Sequence, residues 1–555
     1  MPATPRHRAR SRPRLTLLCS LSCLALVLVA ASSATVAGAA AVSQTPLWID
    51  TTAQQPIWSL AQSLQRYLTN ALSTVWSGRP SPEQPRSEYK YFGLRQAYHQ
   101  GMEAYTGLRA TTDFDYKVHA LSSLSDPSDP YHIPPIKTVR QTVTRPRDVN
   151  RYLEVRGTSY EDAVCAASTE LDWEDVEIDA PDTEDRQTIL AFAKMAALAY
   201  QNDTSGWEAT GGFNLTDSFG WEGDGMRGHI FTTQDNSTIV VALKGTSSAL
   251  LPGGGDTARR DRVNDNMLFS CCCARVSWSW TPVCDCYAGH GDTCGQSCLE
   301  RALVEKSLYY PAATDLYNNI SYLYPDSQIW ISGHSLGGAV SALLGITFGA
   351  PTITFEAPGD RMAALRLHLP LPPSRHPDDS PVSALPITHV YNTADSIAMG
   401  QCNGAGSFCS NLGYAMESKC HSGKTILYDT VGKLGWGSSL TTHRINTLID
   451  NVLDEDWSEK VRKAKGKGKV KMKSSTRSLA ESGSLASSTE GPMRTLGWRW
   501  PWRGGKDKDD DDDEGQRDED DTRAVPRRRS EDDCRDCADW HFIDDATDGG
   551  EDKGQ

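Results

Sequence analysis

Apolar residues recur near helical spacing over Gln187–Tyr200, where Ile189, Phe192, Met195, Ala196 and Tyr200 mark one face of an amphipathic helix. The pattern then changes period. Thr238–Leu243 reads as a buried strand that ends at the corner Lys244-Gly245-Thr246-Ser247, with a glycine for tight geometry. Similar short apolar runs follow at Ile329-Trp330-Ile331, Thr352–Phe355 and Ile387–Asn392, with a small-residue helix over Gly338–Phe348 and a closing helix near His443–Leu453. Strands separated by helices of this length predict an α/β protein whose mostly parallel sheet is covered on both faces, spanning residues 186–455. Residues 43–185 mix short helical patterns with Pro-rich loops such as His132-Ile133-Pro134-Pro135-Ile136; the sequence assigns them no chemistry, and a wrap on that domain fits them.

The two ends of the chain depart from this pattern. Arg6, Arg8, Arg10, Arg12 and Arg14 precede a segment without charge, strongly apolar over Leu15–Ala31 and continuing in small residues to Val42. A cleaved signal peptide and a retained anchor both fit; the apolar centre exceeds the usual signal-peptide core of about 7 to 15 residues. Residues 15–42 are therefore expected to be a signal-anchor helix, with residues 1–14 cytosolic and everything beyond facing a lumen. Sequons at Asn202, Asn214, Asn236 and Asn319 agree with that placement. So does cysteine usage: thirteen of the fifteen cysteines follow residue 23, seven of them at 271, 272, 273, 284, 286, 294 and 298. Disulfides are expected rather than zinc, because no clean pair of Cys-x2-Cys spacings occurs in the cluster. The odd count implies at least one free or intermolecular thiol. Residues 456–555, with a basic run, serines, a tryptophan-rich stretch and an acidic run, are expected to form a disordered charged tail. The net charge of -15 argues against a nucleic-acid partner, although part of it belongs to that tail.

Chemistry enters at Gly333-His334-Ser335-Leu336-Gly337, directly after the Ile329–Ile331 run. A serine flanked by glycines at a strand-to-helix corner is a nucleophile elbow, in which the turn leaves the Ser335 hydroxyl exposed above the sheet. A serine needs a base within hydrogen-bond reach and an acid to hold that base, in the chain order Ser, Asp or Glu, His. Asp395, just past the strand ending at Asn392, suits the acid; Asp360, also at a strand exit, is the runner-up, and Asp378 and Asp379 lie in a Pro-rich loop. His443 suits the base. His421 beside Cys420 reads as structural, and His389 precedes the acid. The backbone N–H of Leu336 and the exit residue Thr246 are the candidate oxyanion donors. No cofactor or metal is called for.

Lys244-Gly245-Thr246, the elbow with Gly338, His389-Val390-Tyr391-Asn392-Thr393-Ala394-Asp395 and His443-Arg444 together resemble the class 3 lipase family. The N-terminal apolar segment, Val283-Cys284-Asp285-Cys286-Tyr287 and Cys420-His421-Ser422-Gly423 make the chain similar to the fungal autophagy-related vacuolar lipases within it, over roughly residues 85 to 455. The resemblance implies an α/β-hydrolase fold and a single-pass type II membrane protein of endosomes, multivesicular bodies and prevacuolar membranes. Its lumenal domain would reach the vacuole and hydrolyse phospholipids or triacylglycerols of autophagic bodies. Secreted members carry a mobile helical lid after the oxyanion loop; here that interval holds the Cys-rich insertion. An esterase for soluble esters and a catalytically inactive adaptor are the competing expectations.

Overall fold

Side chains alternate across a pleated strand, so a sheet buried on both faces needs apolar residues at every position. In the computed structural model this is how the centre is built. Ile239, Val241 and Leu243 enter one core with Ile329 and Ile331, while Val240, Ala242 and Trp330 enter the other. The structure describes residues 89–101, 107–110, 132–169, 171–200, 226–246, 257–276, 281–289, 291–374, 380–404, 407–466 and 519–543.

The strands, in chain order, are β1 (Tyr89–Lys90), β2 (Gly93–Gly101), β3 (Gly107–Ala110), β4 (Ile136–Pro146), β5 (Trp173–Pro181), β6 (Met226–Thr232), β7 (Thr238–Leu243), β8 (Thr293–Gly295), β9 (Gln328–His334), β10 (Thr352–Phe355), β11 (Ile387–Asn392), β12 (Lys424–Tyr428) and β13 (His541–Ile543). Among the described residues the central sheet has eight strands in the order β12-β11-β10-β9-β7-β6-β2-β3. The run from β12 to β7 is parallel, and β6, β2 and β3 extend it antiparallel. This is the α/β-hydrolase fold. Helix Leu336–Phe348 covers one face, and helix Arg186–Leu198, capped by the Asp185 carboxylate on the Thr188 N–H, covers the other.

Two sequence expectations are corrected here. The sheet takes β2 and β3 from before residue 186, and the antiparallel β4–β5 pair packs on it, with the Trp330 indole N–H donating to the Asp179 carbonyl at 3.2 Å. The second correction concerns residues 456–555. Residues 457–466 are helical, and residues 519–543 form an ordered strap on the domain. The strap exchanges backbone hydrogen bonds between Arg529 and Thr425 on the outer edge of β12, at 2.8 and 2.9 Å, and β13 pairs in parallel with β8. Disulfides Cys271–Cys537 and Cys420–Cys534 fasten it. Charge-rich composition suggested disorder; covalent tethers and an uncapped sheet edge supply the order that composition lacks.

Four further disulfides, Cys272–Cys294, Cys273–Cys284, Cys286–Cys298 and Cys402–Cys409, pair every cysteine of the 271–298 cluster. The sulfurs of Cys273, Cys284 and Cys286 lie close together, but as disulfides they offer a metal no thiolate. Among the described residues no helix is long and apolar enough to cross a membrane. The expected anchor at 15–42, the cytosolic segment 1–14, Asn202 and Asn214 lie outside the described residues. Asn236 is exposed in the β6–β7 turn, and Asn319 is half-buried in helix Tyr309–Leu323.

Candidate active site

The parallel strands all release their chains at one end of the sheet, which brings residues distant in sequence into one cluster. Between β9 and helix Leu336–Phe348, Ser335 adopts φ 59 and ψ -132, a left-handed backbone rare for a residue with a Cβ. The flanking glycines make the corner possible. A Cβ on Gly333 would stand 2.3 Å from the Gly337 carbonyl oxygen, and one on Gly337 would stand 2.5 Å from that of Leu243. Gly245 likewise lets the β7 exit pass the nucleophile, since a Cβ there would meet the His334 oxygen at 2.3 Å.

Ser335 Oγ lies 2.9 Å from His443 Nε2, and His443 Nδ1 lies 2.8 Å from Asp395 Oδ2. Asp395 is fully buried just past β11, and its Oδ1 accepts the Ile397 N–H at 2.8 Å. Burial alone would raise the Asp395 pKa; the His443 charge and the hydrogen bonds to the carboxylate hold it below the usual range. The loop carrying His443 is stitched to the turn carrying Asp395: Thr442 Oγ donates to the Ala394 carbonyl at 2.7 Å, and Asn392 Nδ2 to the Thr442 carbonyl at 3.0 Å. The Leu336 N–H opens the helix behind Ser335. Thr246 stands at the β7 exit with its hydroxyl donating to Asp265 at 2.8 Å, so its side chain is already engaged.

Other sequence candidates sit elsewhere. Asp360 is buried against the Ser422 N–H and hydroxyl, with His389 Nε2 at 3.3 Å; burial pushes the His389 imidazole well down, so it stays neutral. His421 Nδ1 meets Glu531 Oε2 of the strap at 3.2 Å, and its Nε2 donates to the Ala357 carbonyl at 3.0 Å. Neither reaches Ser335. Asp378 and Asp379 lie outside the described residues, as does the segment 247–256 after Thr246.

Three residues near the cluster, His334, Tyr200 and Glu356, were given no role at the site by the sequence. His334, the variable residue of the elbow, places Nε2 2.7 Å from the His443 carbonyl and Nδ1 2.8 Å from the Tyr200 hydroxyl. Burial lowers its pKa to about 3, so the ring is neutral, with Nε2–H donating and Nδ1 accepting from Tyr200. It anchors the backbone of the candidate base. The third is Glu356, buried at the β10 exit beside Asp395. Its signal in the sequence was a carboxylate at a strand exit, the same signal that selected Asp395.

A family model described as "Lipase (class 3)" matches residues 292–352, which include the elbow. Among curated relatives, the "Putative lipase ATG15" of Mycosarcoma maydis is 61% identical over 494 residues, covering 89% of this chain and 92% of the relative. The protein of that name from Cryptococcus neoformans var. neoformans serotype D (strain JEC21 / ATCC MYA-565) is 49% identical, covering 67% and 70%. Among solved structures, the Lip2 lipase of Yarrowia lipolytica is similar at 15% identity and a TM-score of 0.22, covering 45% of this chain and 80% of that one. Identity at this level over nearly the whole length places the chain in the ATG15 family of fungal lipases, as a hydrolase of lipid esters.

Proposed function

We propose that the chain is a lumenal serine lipase that hydrolyses ester bonds of membrane phospholipids or triacylglycerols through an acyl-enzyme on Ser335. The observation that carries this reading is the continuous relay Ser335 Oγ, His443, Asp395, with contacts of 2.9 and 2.8 Å. His443 Nε2 takes the Ser335 proton as Oγ attacks the ester carbonyl, and Asp395 stabilises the imidazolium that forms. The Leu336 and Thr246 N–H groups receive the developing oxyanion, each worth about 3–4 kcal/mol in comparable sites. His443 then returns its proton to the departing alcohol oxygen, and water repeats the sequence to release the fatty acid.

Residues 15–42 would anchor the chain as a type II protein in endosomal and prevacuolar membranes, with glycans on Asn202, Asn214, Asn236 and Asn319. The domain would then meet autophagic-body membranes in the vacuole. The six disulfides among the described residues support an oxidising lumen. The test offers phospholipid vesicles and a triacylglycerol emulsion in parallel to wild type and Ser335→Ala, and quantifies released fatty acid. Release that depends on Ser335 identifies the substrate class. Absence of release from both, together with absence of labelling by a fluorophosphonate, would turn the chain into an adaptor on a hydrolase fold.

A further inference from the structure

We propose that Glu356 is a positioning residue of the active site, a buried carboxylic acid whose O–H donates to Asp395 and fixes the carboxylate that orients His443. The proposal rests on the serine, histidine and aspartate reading above and adds a fourth member to it. Glu356 and Asp395 are both completely buried at the exits of neighbouring strands, and Asn392 links them: its side chain donates to Glu356 Oε1 at 2.8 Å, and its Oδ1 accepts the N–H of Ala394, the residue before Asp395. Two ionised carboxylates in contact, without solvent, repel too strongly to coexist, so one of the pair keeps a proton.

The surroundings decide which one. Asp395 receives His443 Nδ1 on one oxygen and the Ile397 N–H on the other, both at 2.8 Å. Glu356 receives only amide donors from Asn392, the side chain at 2.8 Å and the backbone N–H at a long 3.4 Å. The negative charge therefore sits on Asp395, and the proton sits on Glu356. Burial, then the Asp395 charge, pushes the Glu356 carboxyl well above the usual range, in the same direction.

The backbone supports the assignment independently. Glu356 has φ 46, a left-handed conformation that costs a side-chain-bearing residue about 1–3 kcal/mol and is retained where the surroundings enforce it. Its N–H donates to the Val390 carbonyl at 3.0 Å, which ties the exits of β10 and β11 together. Asn392, which holds the Glu356 carboxyl, also holds the Thr442 carbonyl next to His443, and its Oδ1 accepts the Ala394 N–H at 2.9 Å. Through Asn392, Glu356 is thus tied to both loops that must be in register for the relay. It does not touch Ser335 and carries no role at the ester.

The test compares full-length wild type, Glu356→Ala, Glu356→Gln and Ser335→Ala in ester hydrolysis and in the rate of fluorophosphonate labelling. Alanine removes the donor, so kcat and the labelling rate fall about 10- to 100-fold while KM stays within about twofold. Glutamine keeps an N–H donor in the same shape and cannot ionise, so it restores kcat to within about threefold of wild type. A folded alanine variant with wild-type kcat overturns the proposal. So does a folded glutamine variant with kcat below about one tenth of wild type, whatever the state of the alanine protein. Turnover that persists in Ser335→Ala would instead sink the acyl-enzyme reading, and is read from a different arm.

Discussion

Two histidine–carboxylate pairs, one just past β11 and one just before β12, have opposite designs. His443 meets Asp395 through Nδ1 and leaves Nε2 facing Ser335, with the ring still partly accessible. His421 meets Glu531 through Nδ1, but its Nε2 is closed by the Ala357 carbonyl and the ring is stacked on Tyr391 at 4.6 Å. Burial alone would lower the His421 pKa; the Glu531 charge and hydrogen bond, with Asp360 nearby, raise it to about 9. Glu531, which burial alone would raise, is drawn to about 2 by the His421 charge. An imidazole with one capped nitrogen and a fixed charge is a fastener; an imidazole with one open nitrogen facing a hydroxyl can move a proton. The same residue pair serves different ends according to what the second nitrogen meets.

The comparison can be broken most decisively at Ser335. Ser335→Ala should lower kcat by about 10⁴-fold or more with the melting temperature unchanged, and His443→Ala should come close to it because the three groups act as a unit. If His421→Ala instead caused that loss in a folded protein, the roles of the two histidines would be exchanged. Next in size is the covalent tether. Cys420 and Cys534 are 114 positions apart, and cutting their bond with a Cys534→Ser change should cost about 4–5 kcal/mol, read by chemical denaturation. A mild reductant should inactivate the enzyme by the same route, whereas a chelator should not.

Removing Glu531 leaves His421 as an uncompensated buried charge, so Glu531→Gln should destabilise the fold by about 3–5 kcal/mol while kcat per folded molecule changes little. The pH dependence sharpens this further. The raised His421 contributes fully below its ordinary value of 6.5 and loses that contribution as pH rises through about 9. The depressed Glu531 contributes above its ordinary 4.5 and loses that as pH falls through about 2. The gap in melting temperature between wild type and Glu531→Gln should therefore be widest between pH 4.5 and 6.5 and close on either side. A gap that stays constant from pH 4 to pH 9 would mean the pair is not ionised.

How far the sequence could be read followed the distance over which each feature is encoded. Strands such as Ile387–Asn392 and the elbow at Ser335 are local patterns of a few residues, and they stand at the expected positions. Asp395 and His443 were reachable because chain order and strand exits narrow the choice, and the two lie together with Ser335. The strap was hidden, because Glu531, Cys534 and Cys537 sit in a charge-rich stretch and find partners more than one hundred positions away. β2 and β3 were missed because an antiparallel extension of a parallel sheet leaves no helix between strands to announce it. Glu356 looked like an ordinary strand-end polar residue; only the fold brings Asp395 to it.

The strap also sets a timetable for biosynthesis. A ribosome delivers the sheet, the elbow and all the residues of the relay well before it delivers Glu531, Cys534 and Cys537. Until then His421 lacks its counter-charge, Cys271 and Cys420 lack their partners, and the outer edge of β12 is open to whatever strand it meets first. The nascent domain thus passes through a stage in which it is chemically assembled but structurally unlocked, and the strap, translated after the sheet and the relay, is what closes it.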